Sequence, residues 1–310
     1  MADLALAAVM AIWGSSFAVI RFFLGGTGAP RLASPLLMLA ARMGLATVSL
    51  AGFMAAHAQG RAELRRIFSR RSVLEKGSLL RDGVLCGSLL GVGFLLQIEG
   101  LQRTTASRSG FLTGLLVVFT PLFELLLFRK RPAPPALAGV LLAFAGMALL
   151  AGPTGGVGAS TASGDTLTVG CALVFALHII ALGRVTRRHA LLPLLLVQLA
   201  TVWAIAAVAG PLVEAPALAS APRLWLAIAY LALFATLLAF GVQTWAQRKL
   251  APVRVALLSS LEPVFAALWA SLLLGEQLAP REKLGGALIV LGVAVGEVGT
   301  ALFARVRPAG

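Results

Sequence analysis

The chain has 310 residues, of which 59% are hydrophobic and only 12% are charged. A soluble domain carries about 25% charged residues, so this sequence cannot cover a globular surface with polar groups. The composition excludes an ordinary water-soluble fold and predicts an all-α integral membrane protein, in which lipid surrounds the apolar helices.

The net charge of +14 has a second interpretation, because basic surfaces also bind nucleic acid. Here, however, the basic residues form short clusters between apolar runs, which is typical of the cytoplasmic loops of membrane proteins. We therefore expect no nucleic-acid partner. Cys86 and Cys171 both lie inside apolar runs, so neither a disulfide framework nor a metal site is expected.

Ten apolar runs are long enough to cross a membrane, since a helical span needs roughly 20 mostly apolar residues. Glycine and proline clusters or short polar segments separate the runs, as expected for turns between helices. The loop over residues 57–81 is both long and basic. The predicted spans cover residues 4–24, 34–56, 82–101, 107–128, 134–152, 166–185, 190–210, 223–246, 253–274 and 283–304.

The distribution of Lys and Arg predicts the orientation of these spans. With the N-terminus in the cytoplasm, the inner segments hold 18 of the 26 basic residues and the outer loops hold 6. The other two, Arg21 and Arg42, lie within or near spans. Because cytoplasmic loops are enriched in Lys and Arg, we expect a multi-pass protein of the cytoplasmic (inner) membrane with both termini and the 57–81 loop in the cytoplasm.

The two halves of the chain carry similar residues in the same order, at spacings between 142 and 162 residues. The sequence therefore predicts two five-helix repeats, over 4–152 and 166–304, joined by a Gly/Ser-rich linker over 153–165. The matching pairs are Asp3 and Asp165, Trp13 and Phe175, Gln97 and Gln243, Pro121 and Pro263, Pro134 and Pro280, Gly139 and Gly285, and Gly146 and Gly292.

The number of spans in each repeat has a consequence for topology. Five is odd, so the second repeat enters the membrane from the side opposite to the first. Ten transmembrane helices would then form two inverted five-helix repeats, an architecture that recurs in secondary transporters. No nucleotide-binding motif of the Gly-x-x-x-x-Gly-Lys-Ser/Thr type occurs, so no nucleotide-driven motor is expected.

Several motifs resemble those of EamA-type transporters in the drug/metabolite transporter superfamily. The resemblance covers nearly the whole chain and implies transport of a small molecule bound between spans 1, 3, 4, 6, 8 and 9. The sequence departs from it at Arg129-Lys130-Arg131, where many relatives carry Gly-Glu. The motifs are Trp13-Gly-Ser-Ser-Phe17, Thr104-Thr-Ala-Ser107, Gly110-Phe-Leu-Thr-Gly114 leading to Pro121, Glu262-Pro-Val-Phe-Ala-Ala267, and Gly275-Glu276.

Glu262 and Pro263 interrupt the ninth span near the middle of the membrane. An acid there costs free energy, and a proline leaves a backbone carbonyl unpaired one turn earlier. Glu262 is therefore a candidate for binding a proton or a cationic group, with a structural acid held by a neighbouring helix as the alternative. Pro263 and its counterpart Pro121 are predicted to be hinges, while the counterpart of Glu262 at that spacing is Thr120.

Other polar residues lie inside the predicted spans. His178 either carries a proton near neutral pH or contacts a neighbouring helix. Gln97 and Gln243 either line a path or bond adjacent helices. The full set of predicted substrate-path residues is Trp13, Ser15, Ser16, Gln97, Thr113, His178, Gln243, Ser259 and Glu262.

Three further features each have two interpretations. Glu124 lies near Arg129, which favours an interfacial ion pair or a snorkelling contact over a functional role. Glu297 lies deep in the tenth span and faces either a neighbouring helix or a dimer partner. Gly292-x-x-x-Gly296 is typical of close helix packing and also of a dimer face. The sequence is thus consistent with either a monomer or a homodimer.

The resulting functional hypothesis is a secondary transporter that moves a small metabolite or drug-like molecule by alternating access, with efflux as the expected direction. Proton coupling through Glu262 or His178 is a further hypothesis, and no cofactor is expected. A membrane-embedded lipid-modifying enzyme and a non-transporting scaffold are the alternatives. The enzyme requires clustered catalytic groups, which three scattered histidines do not supply.

Overall fold

The computed structural model describes residues 1–23, 32–67, 78–104, 106–151, 162–215, 217–274 and 277–306. In this part of the chain a π-helical segment (Leu233–Leu238) joins α10 to α11. The helices are α1 (Ala2–Phe23), α2 (Pro35–Ala56), α3 (Ala58–Ile67), α4 (Leu79–Leu101), α5 (Ala106–Gly114), α6 (Leu116–Phe128), α7 (Pro134–Ala151), α8 (Ala162–Val185), α9 (Leu191–Val213), α10 (Pro222–Ala232), α11 (Ala239–Ala246), α12 (Pro252–Ser259), α13 (Glu262–Leu274) and α14 (Pro280–Val306).

Every predicted span coincides with one helix or with consecutive helices. Among the described residues, nine helical stretches are long and apolar enough to cross a membrane, and α1 adds a shorter apolar helix over Ala2–Ser16. The all-helical, multi-pass class is thereby confirmed. The count of ten crossings, and their inversion between the halves, stays a prediction.

Proline sets the start of five helices. It lacks a backbone N–H and its φ is already near the helical value, so the first helical turn is where it costs least. The observed starts of these helices lie within three residues of the predicted ones. The residues concerned are Pro35, Pro134, Pro222, Pro252 and Pro280.

Two segments predicted as loops contain helical residues. The basic loop over 57–81 includes α3, a ten-residue helix. The linker predicted over 153–165 is shorter than expected, because α8 begins at Ala162. Residues 68–77 of the loop and 153–161 of the linker lie outside the described residues, as does the predicted Gly275-Glu276 turn.

A residue of α3 caps the C-terminal end of the preceding helix, α2. Arg61 Nη1 donates to the carbonyl oxygens of Ala55 (2.9 Å) and Ala56 (3.2 Å). These carbonyls belong to the last turn of α2 and have no partner within that helix. A basic side chain is favourable there, since the C-terminal end of a helix carries partial negative charge.

Two predicted spans are each broken into two helices. Leu115 separates α5 from α6, and Ser260-Leu261 separate α12 from α13. The backbone tightens at both places: the N–H of Leu115 donates to Leu112 O (3.2 Å) and that of Leu261 to Leu258 O (3.1 Å), three residues back. Leu115 and Leu261 are 146 residues apart, so the same break recurs in both halves.

The chain forms two compact units, and each takes segments from both halves of the sequence. Unit 1 comprises Met1–Ser15, Leu96–Ile180 and Lys249–Gly310, and unit 2 comprises Ser16–Leu95 and Ala181–Arg248. The chain passes from one unit to the other within α1, α4 and α8 and after Arg248. The compact units are therefore different from the two predicted sequence repeats.

In unit 1, α7 and α14 pack against each other through glycines. A Cβ atom on Gly139 would lie 2.5 Å from the carbonyl oxygen of Gly292, and one on Gly146 would lie 2.5 Å from that of Gly285. Residue numbers fall along α14 as they rise along α7, so the two helices are antiparallel. Because Gly139 and Gly285 are sequence counterparts, as are Gly146 and Gly292, each contact is the image of the other.

The same crossing accounts for the Gly292-x-x-x-Gly296 motif. A Cβ atom on Gly139 would lie 2.9 Å from Cα of Gly296. Small residues in membrane helices allow backbones to approach in this way. Of the two interpretations of the motif, close packing within the chain is the one observed.

In unit 2, α2 and α9 also pack antiparallel, and they are the second helices of the two halves. A Cβ atom on Gly44 would lie 2.8 Å from Nε1 of Trp203, and one on Gly210 would lie 3.5 Å from Cβ of Leu36. Glu214 Oε1, just beyond α9, accepts the backbone N–H of Leu36 (2.7 Å) and so caps the start of α2.

Arg129 ends α6 with a left-handed backbone, at φ 53°. Its N–H donates to Leu125 O (2.9 Å), and the next N–H, of Lys130, donates to Glu124 O (3.0 Å), which closes the helix end. Glycine is the usual residue in this conformation, since it has no Cβ to clash. At the 146-residue spacing the counterpart of Arg129 is Gly275, so the departure from the resembling family places an arginine at a glycine position.

We expect the Arg129→Gly substitution to stabilise the protein by about 1 kcal/mol, because it removes the strain of a left-handed non-glycine residue. Thermal unfolding in detergent measures the change. Arg131→Gly removes the same charge from an exposed position and is expected to give no gain. Equal melting temperatures for the two variants would contradict the strain at Arg129.

Candidate functional site

Four polar side chains of unit 1 form what we call the polar layer: Gln97 on α4, Thr113 on α5, Cys171 on α8 and Glu262 on α13. The Cys171 thiol lies beside the Thr113 hydroxyl and within electrostatic range of the Glu262 carboxylate. Cys171 is fully buried. Helices distant in sequence thus bring the Cys171 thiol and the Thr113 hydroxyl together, with the Glu262 carboxylate in their surroundings.

Gln97 joins this layer through the packing of α4 on α8. A Cβ atom on Gly100 would approach Thr168 N at 3.2 Å, and one on Gly170 would lie 3.5 Å from Cδ1 of Leu96. These contacts make α4 and α8 antiparallel and set Gln97 level with Cys171. The sequence predicted Gln97, Thr113 and Glu262 as path residues, but it gave Cys171 no role.

Glu262 occupies a position that differs from the expected one. It is the first residue of α13, directly after the break, and not an interior residue of a continuous helix. The free N–H groups and the partial positive charge at a helix start favour a carboxylate there. The break also pairs Glu262 with Leu116 at the 146-residue spacing, instead of Thr120. With either pairing, the acid has no acidic counterpart in the first half.

The first helix packs on α13 next to this layer. A Cβ atom on Gly14 would lie 2.7 Å from the backbone nitrogen of Ala266, and Trp269 Nε1 donates to the Ala11 carbonyl (2.9 Å). Both contacts lie in unit 1 and make α1 antiparallel to α13. They place Trp13 and Ser15 about one helical turn from the level of Glu262. Ser15 is buried, and its hydroxyl donates to Ile12 O (2.7 Å).

The other predicted residues are distributed over both units. His178 is 2% exposed and lies two turns beyond Cys171 on α8. Ser259 is the last residue of α12, and its hydroxyl donates to Val255 O (2.9 Å). Ser16 and Gln243 belong to unit 2 and are both buried. The structure therefore groups most of the candidates in unit 1.

The two predicted hinge prolines lie at different distances from the helix breaks. Pro263 is the second residue of α13, two residues after Leu261. Its ring is incompatible with a continuous helix, because it would clash with the carbonyl four residues earlier. Pro121 lies inside α6, six residues after Leu115. The breaks are counterparts at the 146-residue spacing, whereas the prolines are counterparts at a spacing of 142.

In unit 2, Arg42 on α2 forms hydrogen bonds with the π-helical segment. Its side chain is buried, its Nε donates to Thr236 Oγ1 (2.6 Å), and its Nη2 donates to Ala235 O (3.2 Å). The guanidinium also lies 5.9 Å from the ring centre of Phe94. Ala235 and Thr236 belong to the π-helical segment, a rare structure that is frequent at functional sites. Arg42 thus supplies hydrogen bonds to this segment.

An ion cluster joins three helices of unit 1. Arg254 on α12 donates to Glu297 on α14 through Nε (2.7 Å) and Nη2, and its Nη2 also donates to Asp3 on α1 (2.8 Å). The Glu297 side chain is only 14% exposed. Of the two interpretations of Glu297 from the sequence, contact with a neighbouring helix is the one observed.

Sequence reasoning missed Arg42, Arg254 and Asp3 as contact-forming residues. Arg42 satisfies the rule that a charged residue inside an apolar span has a role, the same rule that selects Glu262. Arg254 lies two residues inside a helix end, so it was counted only as a topology signal. Its partners are distant in sequence, and no local pattern links them.

Apolar helices of spanning length and buried polar groups inside them define a helical membrane protein of the multi-pass class. The model of the EamA-like transporter family matches residues 1–152 and 162–295. The chain therefore belongs to the EamA-like transporter family, which is part of the drug/metabolite transporter superfamily.

Two relatives are similar over most of the chain. An uncharacterized transporter of Archaeoglobus fulgidus is 29% identical over 294 residues, which cover 95% of this chain and 85% of that protein. A solved crystal structure of a protein has a TM-score of 0.75 at 20% identity, over 96% of this chain and 97% of that one. The latter likeness shows that the fold is shared.

Proposed function

We propose that this protein is a secondary transporter that moves a small metabolite or drug-like molecule across the cytoplasmic membrane, with export as its direction. Inverted-repeat transporters work by alternating access, in which two similar halves exchange conformations. The observation that carries the proposal is the antiparallel packing of counterpart helices, α7 on α14 and α2 on α9. Two inverted five-helix repeats, with both termini cytoplasmic, would produce such pairs.

The polar layer is the proposed substrate contact within unit 1. In secondary transporters, substrates bind where discontinuous helices present free helix ends near mid-membrane. The break between α12 and α13 supplies such an end at Glu262, and the break after α5 lies two residues beyond Thr113. Coupling to protons would use Glu262 or His178. The other path candidates keep the role proposed from the sequence.

The proposal is tested in two stages. A thermal-shift screen of the purified protein against amino acids, nucleosides, sugars and cationic drugs identifies ligands, since binding to the native state raises the melting temperature. Flux of each hit is then measured in proteoliposomes. We expect at least one hit to be transported. Stabilising ligands with no flux in either direction would contradict transport.

The role of Glu262 is tested in the same flux assay. Glu262→Gln is expected to reduce flux at least tenfold or to remove its pH dependence. Glu99→Gln is the matched control, because Glu99 is an acid in the last turn of α4 that already has a cationic partner, Arg103 (3.1 Å). Unchanged flux and pH dependence after replacement of both Glu262 and His178 would exclude the proton role and leave the transporter proposal standing.

A further inference from the structure

We propose that unit 2 binds an anionic phospholipid, with an acyl chain in an apolar groove and the phosphate on arginines at one end of that groove. This inference is independent of what the protein transports.

Three elements form the groove: α2, α9, and the continuous helix made by the π-helical segment and α11. Its volume is about 450 Å³. Phe53 is 56% exposed and Leu238 is 45% exposed, so the groove opens on the surface of unit 2. The residues that line it include Leu50, Phe53, Leu191, Leu195, Leu238 and Trp245. Each of these side chains presents carbon to an occupant, which favours a hydrocarbon chain.

The dimensions of the groove suit part of an acyl chain. From Leu238 to Trp245 is seven residues, or about 10 Å at the helical rise. One leaflet of a bilayer contributes about 15 Å of hydrocarbon, half of the usual core. Trp245 lies at the end of the groove where α11 terminates, and tryptophan is favoured where hydrocarbon meets the headgroups.

The three elements that line the groove carry arginines just beyond the same end. Arg61 belongs to α3, and its side chain lies against the last turn of α2, where it bonds to Ala55 and Ala56. Arg187 and Arg188 are exposed in the turn before Leu191. Arg248 follows Trp245 by three residues. We call Arg61, Arg187, Arg188 and Arg248 the arginine rim.

Part of the arginine rim is held in position by the backbone. Arg248 Nη2 donates to the carbonyl of His189 (2.5 Å), and the ring of His189 bonds Asp82 Oδ2 (2.8 Å). A guanidinium has five N–H donors in a planar fork, so donors remain for a second partner after these bonds. A phosphate oxygen is the acceptor that this fork matches best.

The charge at this end of unit 2 complements an anion. The described residues 57–67, 78–82, 184–189 and 247–248 hold eight arginines and only two carboxylates, Glu63 and Asp82. Basic residues next to membrane spans attract anionic lipids. Free phosphate would leave the apolar groove empty, and a neutral lipid would leave the arginines without a counter-charge. An anionic phospholipid satisfies both.

Native mass spectrometry of the full-length protein in detergent tests this proposal. Phosphatidylglycerol is expected to remain bound under conditions that remove phosphatidylcholine. The Arg61→Gln, Arg187→Gln, Arg188→Gln triple variant is expected to bind phosphatidylglycerol more weakly, by about fivefold for each arginine removed. The matched control replaces Arg103, Arg223 and Arg281, which lie in predicted outer segments, and should bind as the unaltered protein does.

A second variant tests the groove itself. A Cβ atom on Gly241 would lie 3.6 Å from Cδ2 of Leu195, so a leucine side chain at this position fits the helix and fills the groove. Gly241→Leu is expected to reduce the bound phosphatidylglycerol at least fivefold. Equal retention of the two lipids, or retention of phosphatidylglycerol by either the triple variant or Gly241→Leu at the level of the unaltered protein, would overturn the proposal.

Discussion

The Gly139→Leu variant is expected to lose its folded form, because the side chain would enter the crossing of α7 and α14. Its Cβ atom alone would lie 2.5 Å from the Gly292 carbonyl oxygen and 2.9 Å from Cα of Gly296. Both neighbours are backbone atoms, which cannot move aside as a flexible side chain can. Overpacking of a close interface costs about 3 kcal/mol at the upper end of its usual range, a large fraction of total stability.

Gly52→Leu is the control for this experiment. Gly52 also lies inside a membrane helix, but a Cβ atom there meets nothing within 4 Å. Fluorescence-detected size-exclusion chromatography before and after heating compares the two variants. We expect Gly52→Leu to elute and melt like the unaltered protein and Gly139→Leu to aggregate. Equal behaviour of the two variants would contradict the close α7–α14 crossing.

The second large effect is expected at Arg254. Arg254→Gln leaves the carboxylates of Asp3 and Glu297 close together without their cation. Loss of one partner from a buried pair costs about 3–5 kcal/mol, and we expect about 2 kcal/mol here, because the Arg254 and Asp3 side chains are 32% and 36% exposed. Chemical unfolding in detergent measures this loss.

A double-mutant cycle separates the ion cluster from a general effect of charge. Glu297→Gln is expected to destabilise the unaltered protein but to stabilise the Arg254→Gln variant, because it removes the uncompensated carboxylate. Arg131→Gln changes an exposed cation and should alter stability by less than about 0.5 kcal/mol. Additive effects of the Arg254 and Glu297 substitutions would show that the cluster contributes nothing.

The helices were predictable because lipid imposes a simple rule on the sequence. Every backbone polar group in the membrane core must be bonded within its own segment, so each long apolar run forms a helix. Proline then fixes the starts, as at Pro134, where prediction and structure agree, and at Pro280, three residues before the predicted start. The helix α3 inside the basic 57–81 loop was not predicted, because it is too short and too polar to resemble a membrane span.

The helix breaks were only partly predictable. Pro263 signalled the break at Leu261, because its ring is incompatible with a continuous helix. Leu115 lies between two apolar helices with no local proline, and its break follows Gly114. The π-helical segment that binds Arg42 has no sequence signal, and Thr236 lies 194 residues from Arg42 along the chain.

Only part of the candidate site could be predicted, because the sequence does not specify which helices pack together. Depth along a span identified Glu262, and the match to Gln243 identified Gln97; the structure places both at the level of Cys171 in unit 1. Depth does not tell which helices are neighbours, so Cys171 was overlooked. The pairing of Arg254 with Glu297 also required the antiparallel packing of distant helices, which the order of spans along the chain does not specify.

Side-specific labelling of single cysteines tests the inverted repeat most directly. Arg131 and Gln277 are exposed counterparts, each three residues before the proline that starts α7 or α14. Arg131→Cys and Gln277→Cys are made in a background without Cys86 and Cys171, and intact cells are treated with a membrane-impermeant maleimide. We predict labelling of Gln277→Cys in intact cells, and of Arg131→Cys only after the membrane is opened. Labelling of both from the same side would contradict the inverted repeat.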